Sequence, residues 1–308
     1  MTNPQPPSAD SRGEEVLLDR LPTDYRLSVV IPAHNEEGSV GEVVARLRQL
    51  KPAAEIIVVD DGSTDATAEQ ALAAGAKVLR QPYNKGNGAA VKAGIRAATG
   101  EVILIIDADG QHSPDDINKL LDLITSYDLV VGARTRASET RLIRDLGNGI
   151  FNRFASYMVD RPVPDLTSGF RAMRRDKIMD FIHLLPNGYS HTSTSTIAFI
   201  KAGYNVTFVP FVSRKDKGKS GISWFRDGWR FMLIITRLTM LFTPMKVFLP
   251  ISLLFFLVGL VYAVANIIFD RLRIPNGAVL LISVAVIVFL IGLVSEQIAA
   301  LRLERRAN

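Results

Sequence analysis

The chain has 308 residues, 48% of them hydrophobic, a formal net charge of +5 and no cysteine. That length fits one α/β domain with a short appendage, and the lack of cysteine excludes disulfides, thiolate catalysis and Cys-based metal sites. The basic residues accompany no nucleic-acid-binding motif and cluster near apolar segments, so nucleic acid is set aside in favour of an anionic lipid surface or a phosphorylated substrate.

Residues 1–24 contain four prolines and many polar residues and are expected to form a loose tail. No apolar N-terminal stretch is present, so no cleavable signal peptide is expected. A domain over residues 25–222 then begins with strand and helix in alternation. Leu27 to Pro32 is a short apolar run, followed by His34, Asn35, Glu36 and a helical pattern to about Leu50. Glu55 to Asp60 reads as a buried strand, broken at Asp61-Gly62-Ser63-Thr64-Asp65, where Ser63 or Thr64 is placed to cap the next helix. Lys77 to Arg80 is a third strand, and the glycines at 86 and 88 open a helix that another backbone can approach closely.

The fourth strand is the most informative. Val102 to Ile106 is unbroken and apolar, as in a strand buried on both faces of a parallel sheet. It ends in Asp107 and Asp109, at the carboxyl edge where open α/β sheets bind ligands. Two carboxylates there suit a hard divalent cation that keeps positions open for substrate phosphates. Four alternations in about a hundred residues predict a doubly wound α/β sheet.

Val30 to Glu36, Ile57 to Asp65 and Asp107 to Gln111 resemble the motifs of family-two inverting glycosyltransferases with the Rossmann-like GT-A fold. Asp165 to Arg174, Pro210 to Arg214 and Gly218 to Ser220 resemble the dolichyl-phosphate mannose synthase branch. The resemblance implies a nucleotide-diphosphate sugar donor, with the nucleoside held by Pro32, His34, Glu36, Val59 and Asp61. It implies that Asp107 and Ala108 line the donor, while Asp109 and Gln111 contact Mg²⁺ or Mn²⁺. It implies acceptor-phosphate contacts at Arg134 and Arg214, which with Asp107 and Asp109 form the catalytic set. Relatives carry a lysine where this chain has Gly221; Lys219 or Lys217 is available instead, and Arg144 is a further phosphate candidate. A lipid phosphate, largely ionised because its second pKa is about 6, needs cations to position it more than a base. Asp165 is read either as an acid beside the acceptor or as the residue that fixes the Thr167-Ser168-Gly169 turn. The four histidines do not have the spacing of a metal set.

Beyond the domain, Ser223 to Thr243 places Arg226, Arg230 and Arg237 on one helical stripe, as in a helix lying in a headgroup layer. Residues 247–269 and 278–300 are two apolar runs, each near the roughly 20 residues that span a hydrocarbon core. A buried soluble hairpin is the competing reading. Arginines and a lysine flank the pair and only Arg271 and Arg273 lie between, so both termini and the catalytic domain are expected in the cytoplasm.

The expected activity is inverting transfer of one sugar to a polyprenyl (dolichyl or undecaprenyl) phosphate at a membrane. Transfer to a lipid hydroxyl such as diacylglycerol, or an inert nucleotide-sugar-binding anchor, are the alternatives. The sequence leaves the sugar, the nucleotide, the lipid length and a homo-oligomer open.

Overall fold

A computed structural model describes residues 21–135, 152–188, 190–212, 243–269 and 275–307, together with the helical residues Leu233, Thr236 and Met240. The expected alternation is present. Strands β1 (Leu27–Ala33), β2 (Glu55–Asp60), β3 (Lys77–Arg80) and β4 (Val102–Ile105) are separated by helices α1 (Val40–Leu50), α2 (Thr67–Ala73) and α3 (Asn87–Ala97). After β4 come a 3₁₀ turn (Pro114–Asp116), α4 (Ile117–Leu121) and β5 (Leu129–Arg134). Helix α5 covers residues 152–159, followed by β6 (Arg171–Arg174), α6 (Arg175–Phe181), α7 (His191–Lys201) and β7 (Val206–Phe211).

The sheet runs β3-β2-β1-β4-β6-β5-β7 and is parallel except for β6, which is antiparallel to both β4 and β5. Successive residues of a strand point to opposite faces, and the core divides accordingly. Val29, Ile31 and Leu104 pack with α1 and α4 on one side; Val30, Ile103 and Ile105 pack with α3 and α7 on the other. Leu21, within the expected tail, packs against the first of these clusters.

Helix α2 corrects one expectation. Its cap residue is Ala66, with no side-chain capping bond. Ser63 and Thr64 are occupied elsewhere: Ser63 Oγ accepts the Asn35 N–H, and the Thr64 N–H goes to Asn35 Oδ1. Asp65 takes over the local turn, accepting the Thr67 N–H and hydroxyl.

Two long apolar helices, Met245–Phe269 and Asn276–Ala307, follow the domain and pack against each other. Ser252 donates to Ala285 O at 2.9 Å across their contact. Both are long and apolar enough to cross a membrane, and only 17% of each span is buried, which sets them apart from the core helix of a soluble protein. The first helix starts two residues before the expected 247, and Pro250 falls in its second turn.

Candidate active site

All the parallel strands end on one edge of the sheet, and antiparallel β6 begins there. Chain order reverses between β1 and β4, so the crevice for a ligand opens beside β1. Pro32 lies in this central strand, a position proline normally avoids because it cannot donate to the ladder. Val30 O accepts the Ile106 N–H, so alternate residues of β1 face β4. Pro32 therefore turns its missing N–H toward β4 after β4 has ended at Ile105, and no ladder bond is lost.

The loops after β1 and β2 are laced together. Asn35 N–H to Ser63 Oγ is 3.0 Å, Glu36 N–H to Thr67 Oγ1 is 2.8 Å, and Ala66 N–H to Glu37 Oε2 is 3.1 Å. Asn35 takes a left-handed backbone (φ 57°) that an Asn tolerates. His34 is exposed and Pro32 buried on the same rim. Asp61, by contrast, is only 3% exposed, and its two oxygens accept the backbone N–H groups of Lys85 and Gly86, both at 2.8 Å. It anchors the turn into α3; a donor would have to use its remaining lone pairs. That helix meets the 186–188 loop so closely that a Cβ on Gly88 would sit 2.3 Å from Pro186 O. Val59 has its side chain fully buried beneath α3, so only its backbone faces the rim.

Asp107 and Asp109 lie just past β4. Gln111 donates its backbone N–H to Asp109 Oδ1 at 3.0 Å and its Nε2 to Oδ2 at 2.8 Å. Glu36 is close enough to Asp107 and Asp109 that burial and these carboxylates raise its pKa. Burial also raises Asp107, although Arg171 and Arg134 act against it. Among the described residues no three acids or histidines converge as a closed metal cage. The excess of negative charge around Asp109 and the amide of Gln111 nonetheless fit an open site for a hard cation, completed by diphosphate oxygens. A half-turn of the Gln111 amide would bring Oε1 to the same point.

His112, set aside in the sequence, belongs to this site. It is 7% exposed, stacks on Phe170 at 5.3 Å, and places Nδ1 3.6 Å from Asp107 Oδ2. Burial lowers its pKa to about 4, so the ring is neutral at ordinary pH. Its position directly after Gln111 was the available signal. Gly169 closes the pocket behind Asp107: a Cβ there would stand 2.6 Å from Asp107 Oδ2.

On the other side of the edge, Arg134 ends β5. Asp165 accepts from its backbone N–H (3.2 Å), Nε (2.7 Å) and Nη2 (3.0 Å), and Thr167 Oγ1 also contacts Nη2. Asp165 also accepts the Thr167 N–H at 3.0 Å, so it fixes the turn as well as Arg134. Burial would raise the Asp165 carboxyl, but the Arg134 bonds prevail and hold it low. Arg171 is fully buried beneath them, donating to Thr192 O and Ser195 Oγ, both at 2.8 Å, from a helix α7 whose hydroxyls are nearly all buried. Burial lowers its pKa to about 10. It is a second site residue that sequence reasoning missed, because a guanidinium at a strand start reads as exposed. Arg144, Arg214, Lys217, Lys219 and most of the expected 223–243 helix lie outside the described residues.

Comparison with known proteins gives two family matches: "Glycosyl transferase family 2" over residues 28–181 and "GtrB C-terminal hairpin" over residues 243–301. The chain is 35% identical over 206 residues to a dolichyl-phosphate hexose transferase of Haloferax volcanii, covering 66% of this chain and 89% of that one. It is 30% identical to an undecaprenyl-phosphate mannosyltransferase of Micrococcus luteus, covering 64% and 88%. A crystal structure of glucosyl-3-phosphoglycerate synthase from Mycobacterium tuberculosis, with Mn²⁺, UDP-glucose and phosphoglyceric acid, superimposes with a TM-score of 0.58 at 21% identity. That match covers 70% of this chain and 80% of the other, and it shows the GT-A fold.

Proposed function

The chain belongs to glycosyl transferase family 2, and from that membership we propose that it moves one sugar from a nucleotide-diphosphate donor to a polyprenyl phosphate, with inversion, at the cytoplasmic leaflet. One observation carries this reading: a carboxylate cluster and a clamped arginine share one sheet edge, in a chain that continues into a membrane-length hairpin. Relatives named for transfer to dolichyl and undecaprenyl phosphate support the acceptor class.

In this reading the laced loops after β1 and β2 hold the nucleoside, Asp61 through the lone pairs that the α3 turn leaves it. Asp109 and Gln111 hold Mg²⁺ or Mn²⁺, which when bound would neutralise charge on the departing diphosphate. Asp107 is held against Gly169 and His112 and faces the donor. On the acceptor side, Asp165 fixes the Arg134 guanidinium so that its charge reaches the lipid phosphate without the entropy loss of a free side chain. Arg214, Arg144 and Lys219 are the further cations proposed for that phosphate. The acceptor's own ionised oxygen is the nucleophile, so activity should fall on the acid side near a pH of about 6, where it becomes a monoanion.

The two apolar helices anchor the enzyme as a two-span hairpin with both termini cytoplasmic, because the basic residues flank the pair. The test is to reconstitute the full chain in vesicles with Mg²⁺ or Mn²⁺, a short polyprenyl phosphate and a panel of radiolabelled nucleotide-diphosphate sugars. One donor should yield a labelled lipid whose anomeric configuration is opposite to the donor's. Label released only as free sugar, or a retained configuration, would overturn the proposal.

A further inference from the structure

Lys246 opens the first apolar helix, yet its ammonium group points back into the catalytic domain. Nζ lies 3.2 Å from both Tyr157 O and Met158 O and forms an ion pair with Asp160. An ammonium has three donors, and these three acceptors use them all. Tyr157 and Met158 supply last-turn carbonyls of α5, and Asp160 is the left-handed residue (φ 57°) just beyond it. A cation at this position satisfies orphan carbonyls and opposes the negative end of the helix dipole.

Two side chains of the same helix, Asn152 in its first turn and Ser156 further along, grip a different peptide. Asn152 Nδ2 donates to Pro164 O at 2.6 Å, and Asn152 Oδ1 accepts the Leu166 N–H at 3.0 Å. Ser156 Oγ accepts the Val163 N–H at 2.9 Å. These bonds flank Asp165, the residue that clamps Arg134. Val247 and Leu166 meet in one apolar cluster with Ala155 and Val159. The hairpin and the Arg134 clamp are therefore joined by one short helix, bonded at both ends.

We propose that α5 is a strut that sets the Arg134–Asp165 clamp relative to the membrane hairpin, with Lys246 as the positioning residue at its hairpin end. Neither Lys246 nor Asn152 touches donor or acceptor; they act through Asp165. The kinetic consequence rests on the lipid-phosphate acceptor proposed above, whereas the mechanical one does not.

The test uses the full chain in phospholipid vesicles. Hydrogen exchange across residues 163–167 reads the strut with no substrate present. Lys246→Met should speed exchange there about tenfold, the scale at which changes along packed networks are felt, and Lys246→Arg should restore protection. Asp160→Gly keeps the left-handed turn while removing the carboxylate, so it should fold and give a smaller increase of about threefold. Unchanged exchange in Lys246→Met and Asp160→Gly overturns the strut, whatever the acceptor proves to be. With active enzyme, Lys246→Met and Asn152→Ala should each lower kcat/KM for vesicle-borne acceptor about tenfold, with donor KM within about twofold. The double variant should fall no further than the worse single one, because both cut the same strut. Multiplying losses, or a matching rise in donor KM, would also overturn it. Wild-type enzyme inactive on polyprenyl phosphate, with exchange responding as stated, would count against the acceptor reading alone.

Discussion

The Arg134–Asp165 pair invites a substitution whose effect on stability follows from the geometry. Asp165 is 6% and Arg134 17% exposed by side chain, and two side-chain bonds and one backbone bond join them. Arg134→Ala leaves a buried carboxylate without its counter-ion, a change that costs about 3–5 kcal/mol. For a domain of this size each kcal/mol shifts Tm by about 2–4 °C, so the expected loss is about 6–20 °C. In the wild type the Asp165 pKa is depressed; its contribution is complete above the unfolded value of about 3.9 and is lost only as pH falls through the lower folded value. In the variant the stranded carboxyl shifts upward and takes a proton more readily. The deficit in Tm should therefore be largest near pH 8 and shrink toward pH 5. Asp165→Asn in the same background should recover much of the loss by removing the buried charge. Thermal unfolding of the three proteins at two pH values measures this. A deficit under about 2 °C, or one that does not change with pH, would refute the reasoning.

Three further outcomes are expected. Asp109→Asn should abolish turnover with Tm nearly unchanged, since Asp109 is exposed, and excess chelator should silence the wild type; full activity in chelator would rule out the metal role. Gly169→Ala puts a methyl group against Asp107 and should cut kcat about a hundredfold, as misplacements of about 1 Å do, with circular dichroism showing the fold retained. Deleting residues 244–308 should leave a domain that still binds donor by calorimetry but transfers poorly to lipid acceptor in vesicles, because it loses the anchor's local concentration together with the Lys246 contact to α5.

Strands β1, β2 and β4 were legible because each is an apolar run ending at a polar turn; β3, only Lys-Val-Leu-Arg, fitted the alternation they set, and the shared edge followed from it. The second half was not. β6 reads Arg-Ala-Met-Arg, and its two arginines are buried by partners far along the chain. Helix α7 begins His-Thr-Ser-Thr-Ser-Thr, which has loop composition; its buried hydroxyls are accommodated by bonds to backbone oxygens and to Arg171. The Asp-x-Asp cluster could be placed from sequence, since strand end and turn coincide there. Asp61 could be placed at the edge, but its bonds to Lys85 and Gly86 depend on how α3 docks. Of the two readings of Asp165, the structure shows the turn, in which it accepts the Thr167 N–H, and adds a clamp on Arg134 that neither reading contained. Lys246 counted in the sequence only as one more flanking charge. Its actual partners lie some ninety residues upstream, beyond the reach of any local pattern.

The central claim is that the acceptor is a lipid phosphate. The most direct measurement offers one polyprenyl chain in two forms, phosphate and alcohol, with diacylglycerol alongside, to the same enzyme and labelled donor. The account predicts labelled product from the phosphate alone, with an acid limb near a pH of about 6. Transfer to diacylglycerol or the polyprenyl alcohol, with none to the phosphate, would contradict it.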